Sequence, residues 1–256
     1  MKINEIKCKT ALSKSNLPGL DYSLNPYRGC EHNCCYCYVP NVLRIKRSDW
    51  GSFVDVRTNI PNILSKELKK KKKGVVALST VTDPYQPIEE KYRITRYCLE
   101  QLLRYDFPVH IQTKSDLVLR DLDLISEFSD IEVMFSIGTL NDSQRKLLEP
   151  CASSIKDRLN AMRKISQNAT KTSVFFGPIY PTIKLDELEN IIDKFKIFGA
   201  KEIMIDKLNL KAGIYDNISK RIDIYEETEF KDYYYKIYNE IIKLSNKKEI
   251  KAVKAF

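Results

Sequence analysis

The stretch NPYRGCEHNCCYCY, residues 25–38, places Cys30, Cys34, Cys35 and Cys37 on one short loop, out of seven cysteines in a chain of 256 residues. An odd total with gaps this tight does not suit a disulfide framework in a protein of this size. It suits a metal in a reducing compartment. Cys30, Cys34 and Cys37 stand at C-x3-C-x2-C. A structural zinc site takes four protein ligands, commonly as two separated pairs, and no second pair follows downstream. One reading completes a Cys3His zinc site with His32, awkwardly placed between two cysteines of a tight loop. The other is an iron-sulfur cluster on three thiolates, which leaves one iron free to bind a small molecule. Cys35 also permits C-x4-C-x-C, and its plainer role is a thiol turned away from the metal. Cys98 and Cys151 fall on or beside expected helices and read as buried small hydrophobes.

Outward from this loop, short apolar runs alternate with segments of helical period. GVVALST (74–80), PVHIQTK (108–114), IEVMFSI (131–137), TSVFFGPIYP (172–181) and KEIMIDKL (201–208) read as buried strands, rich in β-branched and aromatic residues. An initial strand near 22–26 makes six. Helices are expected over 60–73, 92–105, 121–129, 155–167, 185–198 and 228–244. Six βα units imply a parallel sheet with right-handed crossovers, either open and doubly wound or an incomplete barrel. Both carry their chemistry at the strand C-termini, where Thr80, Thr82, Asp83, Lys114, Ser115, Ser136, Lys207 and Asn209 fall with the cysteines. No internal repeat or linker divides the chain, so a single domain is expected over 1–256, with its core at about 18–245.

Hydrophobic residues at 43% and charged residues at 30% are globular values. No apolar run approaches the roughly 18 residues of a membrane span, and the polar start lacks a secretory pattern. A cytoplasmic protein without a membrane partner is expected. The net charge of +9 favours anionic partners, with nucleic acid the evident candidate. Much of that excess sits in KELKKKKKG (66–74), which reads as a solvated helix C-terminus. In EFKDYYYKIYNEIIKL (229–244), Tyr234, Ile237, Tyr238 and Ile241 recur at helical spacing, so a packed face is favoured over a base-stacking platform.

The C-x3-C-x2-C pattern, with an aromatic residue before its third cysteine, resembles the signature of the radical S-adenosylmethionine superfamily. The whole stretch is similar to its spore photoproduct lyase-like branch, and TDPYQPIE (82–89), TKSDLVLRD (113–121), FSIGT (135–139) and LEP (148–150) resemble that branch in the same order. The resemblance implies an α/β fold, a partial (β/α)6 TIM-like barrel. It also implies a 4Fe-4S cluster on Cys30, Cys34 and Cys37, whose open iron takes the amino and carboxylate groups of S-adenosylmethionine. Cofactor contacts would fall to Tyr36, Tyr38, Thr82, Lys114 and Ser136. A carboxylate suits the Lys114 ammonium, and the hydroxyls suit ribose or amino-acid groups. Asp83, Gln86 and Glu89 are expected either to meet substrate or to form a rigid loop anchoring the next helix.

On that resemblance, one electron from an external flavodoxin- or ferredoxin-type donor cleaves the sulfonium to methionine and a 5′-deoxyadenosyl radical, which removes hydrogen from an unidentified substrate. Initiation needs no general acid or base, in keeping with only two histidines. The catalytic residues beyond the cofactor site stay unassigned. Where the lyase carries a hydrogen-donating cysteine, this chain has Thr80, whose O–H bond is too strong for that role, so repair of thymine photoproducts by the same route is not expected. A zinc-stabilised nucleic-acid-binding module without turnover, and an electron-transfer protein, are the competing readings.

Overall fold

The apolar runs form strands because β-branched and aromatic side chains fill a pleated surface covered by helices. A computed structural model describes residues 1–224 and 229–255. Its strands, in chain order, are β1 (Lys2–Ile6), β2 (Leu12–Lys14), β3 (Tyr22–Leu24), β4 (Tyr27–Arg28), β5 (Phe53–Arg57), β6 (Val76–Leu78), β7 (Val109–Thr113), β8 (Ile131–Ser136), β9 (Lys171–Phe176), β10 (Glu202–Ile205) and β11 (Lys251–Lys254). The main sheet runs β11-β10-β9-β8-β7-β6-β3-β2, parallel from β3 through β11 and antiparallel only at β2. The six expected strands are β3 and β6 to β10.

This order decides between the two expected architectures. A doubly wound sheet reverses its order at a switch point, whereas consecutive right-handed crossovers put every helix on one face. From β3 to β10 the neighbours follow chain order without reversal. The fold is therefore of partial barrel type, and among the described residues the ladder ends at β2 and β11. Pairing register sorts the side chains accordingly. Val109, Ile111, Val133, Phe135, Val174, Phe176, Ile203 and Ile205 share one face and are buried, each contributing roughly 1.5–3 kcal/mol through lost apolar exposure. The opposite face carries His110, Gln112, Glu132, Met134, Ser136, Ser173 and Phe175, a polar lining toward the barrel interior.

Several elements depart from expectation. A second sheet, β1-β5-β4, lies outside the six units. Its alternation is masked by Asp55, which is buried and accepts from Asn4 Nδ2 at 2.8 Å and Arg28 Nη1 at 3.0 Å. The helix expected over 60–73 spans Ile60–Leu68. The lysines beyond it form a turn in which Lys73 pairs with Asp106 at 2.7 Å and Lys71 lies over the Tyr22 ring. Residues 92–105 are divided into Glu89–Tyr92 and Ile94–Arg104 by Arg93, at φ 53°. Over 121–129 the helix is reduced to a 3-10 turn, Asp116–Asp121, and one α turn, Leu122–Ile125, because buried Asp121 pairs with Arg96 and Arg120. The helices Ile155–Ser166 and Leu188–Ile197 match expectation closely. The last helix is Phe230–Lys247, and Thr228, where it was expected to begin, lies outside the described residues. Val39–Leu43, Asp142–Leu148 and Ile214–Ser219 are additional short helices. No helix among the described residues is long and apolar enough to cross a membrane.

Near the entry ends of β8 and β9, Glu132 accepts from Ser173 Oγ at 2.5 Å and Lys171 Nζ at 3.0 Å, with His110 Nδ1 at 3.5 Å. Burial alone would raise its pKa, but these donors outweigh it and hold the carboxyl at about 2. A carboxyl whose folded pKa is depressed stabilises the fold above its unfolded value and loses that contribution as pH falls through the folded value. Urea denaturation of Glu132→Gln is expected to show a flatter acid limb between about pH 4.5 and 2, by on the order of 2–3 kcal/mol. Equal acid slopes in the two proteins would refute this assignment.

Candidate metal and cofactor site

The cysteine loop leaves the small sheet at Arg28 and turns at Gly29, where φ is +89° and a Cβ would lie 2.3 Å from the Phe53 carbonyl oxygen. Only glycine fits there. Local turns wrap the loop: Asn33 N–H reaches Cys30 O at 3.4 Å, and Cys37 N–H reaches Cys34 O at 3.1 Å. Asn25 ties its entry to the end of β6, accepting from Thr80 N at 3.0 Å and Val81 N at 3.1 Å. Thr82 donates its hydroxyl to Gly29 O at 2.6 Å, and Gln86 donates to Thr82 Oγ1 at 3.0 Å.

Cys30, Cys34 and Cys35 are buried and Cys37 is partly so. Burial pushes all four thiols up, Cys30 and Cys35 to about 12. Their further influences separate them. After burial, Asp83 and then Cys37 bear on Cys30, and Lys114 and Glu149 and then Cys30 and Cys37 bear on Cys34. The principal charges on Cys35 are Arg221, Glu149 and Arg47 instead. Its backbone is pinned on another side, by Leu148 O at 2.9 Å and by Asn217 Nδ2 at 2.8 Å. Thiols buried on one short loop are stabilised as thiolates by a cation bound there. The donor set therefore fits a metal cluster with one thiolate per iron. Among the described residues no three His, Cys, Asp or Glu side chains form a group suited to a single ion. His32 is engaged elsewhere, with Nδ1 at 3.0 Å from Cys151 O and Nε2 at 3.3 Å from Asp83 Oδ2.

Behind the loop lies a buried charge network that the sequence reading missed. Glu149, 1% exposed, accepts from the Tyr36 hydroxyl and from Arg158 Nη2. Arg158 is fully buried and also donates to Ser136 O at 2.8 Å and Ser153 O at 2.9 Å. Burial opposes ionisation of Glu149, but Arg158, Lys114 and the Tyr36 hydrogen bond keep its pKa below the usual range. Both residues left a trace in the sequence. Glu149 is the acid of LEP, and Arg158 occupies the apolar stripe Ile155, Leu159, Met162 and Ile165 of its helix, where an unpaired charge would be untenable.

The expected cofactor residues divide by placement. Lys114, at the end of β7, is half-buried, with Nζ 5.9 Å from the Tyr36 ring centre. Burial favours its neutral form, yet Cys34, Glu149 and Asp83 outweigh burial and keep it a cation. Ser136, at the end of β8, accepts from Gln112 Nε2 at 3.1 Å. Tyr38 is 45% exposed, and the charges acting on its hydroxyl are those of Cys37, Asp206 and Lys114. Tyr36 instead points its hydroxyl inward to Glu149, with its ring edge-on to Tyr180 at 6.0 Å.

Asp83, Gln86 and Glu89 are buried, and their side chains serve internal partners. Asp83 accepts from Thr113 Oγ1 at 2.7 Å, Lys114 N at 2.8 Å and Tyr85 N at 2.9 Å. Burial alone would raise its pKa, but His32 and the Lys114 amide hold it at about 2. Gln86 Oε1 accepts from Glu31 N at 2.8 Å. Glu89 accepts from the Tyr27 hydroxyl, from Thr95 N at 2.9 Å and from Arg120 Nη2 at 2.5 Å. These internal bonds favour anchorage of the segment over contact with substrate.

The Radical SAM superfamily model matches residues 24–195. An uncharacterised protein of Methanocaldococcus jannaschii is 36% identical over 214 residues, 83% of this chain and 80% of that protein. A radical SAM Nalpha-GlyT isomerase of Pseudomonas phage M6 is 24% identical over 70% of this chain and 38% of that protein. Among solved structures, spore photoproduct lyase complexed with dinucleoside spore photoproduct superposes with a TM-score of 0.74 at 16% identity, over 99% of this chain and 82% of that one. That likeness is one of fold.

Removing one partner of a buried ion pair leaves the other uncompensated, which costs about 3–5 kcal/mol. Arg158→Met is expected to destabilise the protein by that amount in urea denaturation, and adding Glu149→Gln is expected to recover part of the loss. A double variant that sums the two single losses would show that the pair does not act as a unit.

Proposed function

Because the chain belongs to the radical SAM superfamily, we propose that Cys30, Cys34 and Cys37 hold a 4Fe-4S cluster at the barrel mouth and that this radical SAM enzyme acts on nucleic acid. What supports the ligand assignment is the C-x3-C-x2-C spacing of these residues on one buried loop within the segment that the family model matches, with the Cys35 backbone held on another side by Leu148 and Asn217. Held by Cys30, Cys34 and Cys37, such a cluster would supply the electron for reductive cleavage of S-adenosylmethionine, the family's way of generating a radical that can take hydrogen from substrate.

The chain's own residues bind and orient. Among the described residues no carboxylate lies within ion-pair distance of Lys114, which suits its ammonium to the cofactor carboxylate. Tyr38 offers an exposed ring for the adenine, and Ser136 and Thr82 supply hydroxyls nearby. Asp83 fixes the Lys114 backbone, Gln86 braces the cysteine loop through Glu31 and Thr82, and Glu89 ties Tyr27 to the helix that follows. Electrons come from a flavodoxin- or ferredoxin-type donor in a reducing cytoplasm.

Two features support a nucleic-acid substrate. Exposed Arg44 and Lys46, and half-buried Arg47, flank the cysteine loop on one side. Exposed Lys207, Lys211 and Arg221 flank it on the other. The two segments approach each other, since Arg47 Cδ lies 3.9 Å from the position of a Cβ on Gly213. In addition, the structurally similar lyase is seen with a dinucleoside.

Anaerobic reconstitution followed by dithionite and S-adenosylmethionine is expected to give a brown protein with about four irons, forming 5′-deoxyadenosine. Alanine at Cys30, Cys34 or Cys37 should abolish that product, while Cys35→Ala retains it; equal loss at Cys35 would overturn the ligand assignment. Oligonucleotide binding should weaken linearly in log–log terms as salt rises. Neutralising Arg44, Lys46 and Lys211 together should reduce that slope by about three if each meets a phosphate. A slope unchanged by the triple substitution would remove this face as the nucleic-acid contact.

A further inference from the structure

Asp206 directly follows β10, and its backbone prolongs the ladder: its N–H donates to Phe176 O at 3.1 Å, and its carbonyl accepts from Ile179 N–H at 3.0 Å. Strand alternation then fixes the side to which its carboxylate turns. Ile203 and Ile205 lie on the buried face described above, whereas Glu202 and Met204 pair with Ser173 and Phe175 on the lining face. Asp206 joins the lining face, next to Gly177. A Cβ at Gly177 would lie 2.8 Å from Asp206 Cβ and 2.4 Å from Phe175 Cε1. The Phe175 ring and Asp206 therefore stand side by side over one bare position, and both are half-buried.

Three carboxylates stand on this lining between β8 and the end of β10. Glu132 accepts from Ser173 and Lys171, and Glu202 pairs with Lys251 at 2.7 Å. The third, Asp206, has no side-chain partner among the described residues. Burial pushes its pKa above the usual carboxylate range, against the Lys207 amide and the Lys207 and Lys254 charges. Its place relative to the proposed cofactor residues follows from register. Ser136 pairs with Phe175, and Phe175 with Met204. Asp206 thus lies two strands across from Ser136, about 10 Å, and two residues nearer the opening, about 6–7 Å. Beyond it the chain returns to the cysteine loop, where Asn217 Nδ2 donates to Cys35 O at 2.8 Å. A carboxylate one layer above the cofactor residues meets whatever is bound over the cofactor.

We propose that Phe175 and Asp206 recognise an unpaired guanine of the substrate, the ring packing on the base and the carboxylate accepting its N1–H and 2-amino hydrogens. This site rests on the nucleic-acid reading above. An ionised carboxylate accepts through two oxygens and donates nothing. Guanine is the common base with two neighbouring N–H donors on one edge. Adenine and cytosine set an acceptor beside their amino group, and the thymine or uracil N–H lies between two carbonyls that repel a carboxylate. Within a duplex that edge of guanine is already paired, so the base is read from a single strand or after extrusion from the helix.

The test uses reconstituted, unreduced protein with S-adenosylmethionine, titrated by fluorescence anisotropy with short single-stranded oligothymidylates. One strand carries a central guanine, one a central hypoxanthine, and one thymine throughout. The parent is expected to bind the guanine strand about tenfold more tightly than the other two, because hypoxanthine lacks the amino donor. Asp206→Asn is expected to erase that preference and to leave the salt slope on the all-thymine strand unchanged. If Asp206→Asn does not keep its irons, Asp206→Ser carries the comparison. A parent that binds the three strands alike, or a variant that keeps the guanine preference, overturns this site and leaves the nucleic-acid reading standing. Failure of the parent to bind any strand overturns both.

Discussion

The Glu149–Arg158 pair sits behind the cysteine loop, and the arrangement in front depends on it. A carboxylate and a guanidinium excluded from water persist only with good mutual geometry and further hydrogen bonds. Here those bonds come from Tyr36 within the loop and from the Ser136 and Ser153 carbonyls. The same network therefore joins the cysteine loop, the end of β8 and the helix Ile155–Ser166. Lys114 adds a third charge whose field reaches Glu149 and Cys34. Electrostatics fixes where the loop lies, and the apolar face of the sheet fixes where the charges lie.

Much of the architecture was legible because apolar period and strand length agreed along most of the chain. The six parallel strands follow from runs such as IEVMFSI and TSVFFG, in which both sheet faces reject solvent. What the sequence hid were elements stabilised by partners distant in the chain. β5 carries a buried aspartate that only makes sense once Asn4 and Arg28 are beside it. Arg93 divides a periodic helix through its own left-handed backbone, which no pattern of hydrophobicity records. Asp142–Leu148 did carry a readable start, since Asn141 accepts from Gln144 N at 3.1 Å as its N-cap.

At the site, the cysteine triplet proposed as ligands was readable from spacing, and the supporting residues were not. TDPYQPIE offered two meanings with the same letters, contact with substrate or anchorage. Gln86 and Glu89 are fully enclosed, and their side chains bond to Gly29, Glu31 and Thr82 and to Tyr27, Thr95, Arg96 and Arg120, which favours anchorage. Arg158 shows the opposite difficulty. A lone arginine on an apolar stripe is a strong sign of a hidden acid, but its partner is named only by the fold.

The ladder that ends at β2 and β11 has a consequence beyond the site. Unpaired strand edges invite docking of another chain's backbone, and proteins commonly blunt them with charge. Here Lys14 terminates β2, while Lys251 and Lys254 bracket β11, all three exposed. Two molecules meeting edge to edge would bring lysines together, so the incomplete barrel carries its own protection against fibrillar self-assembly.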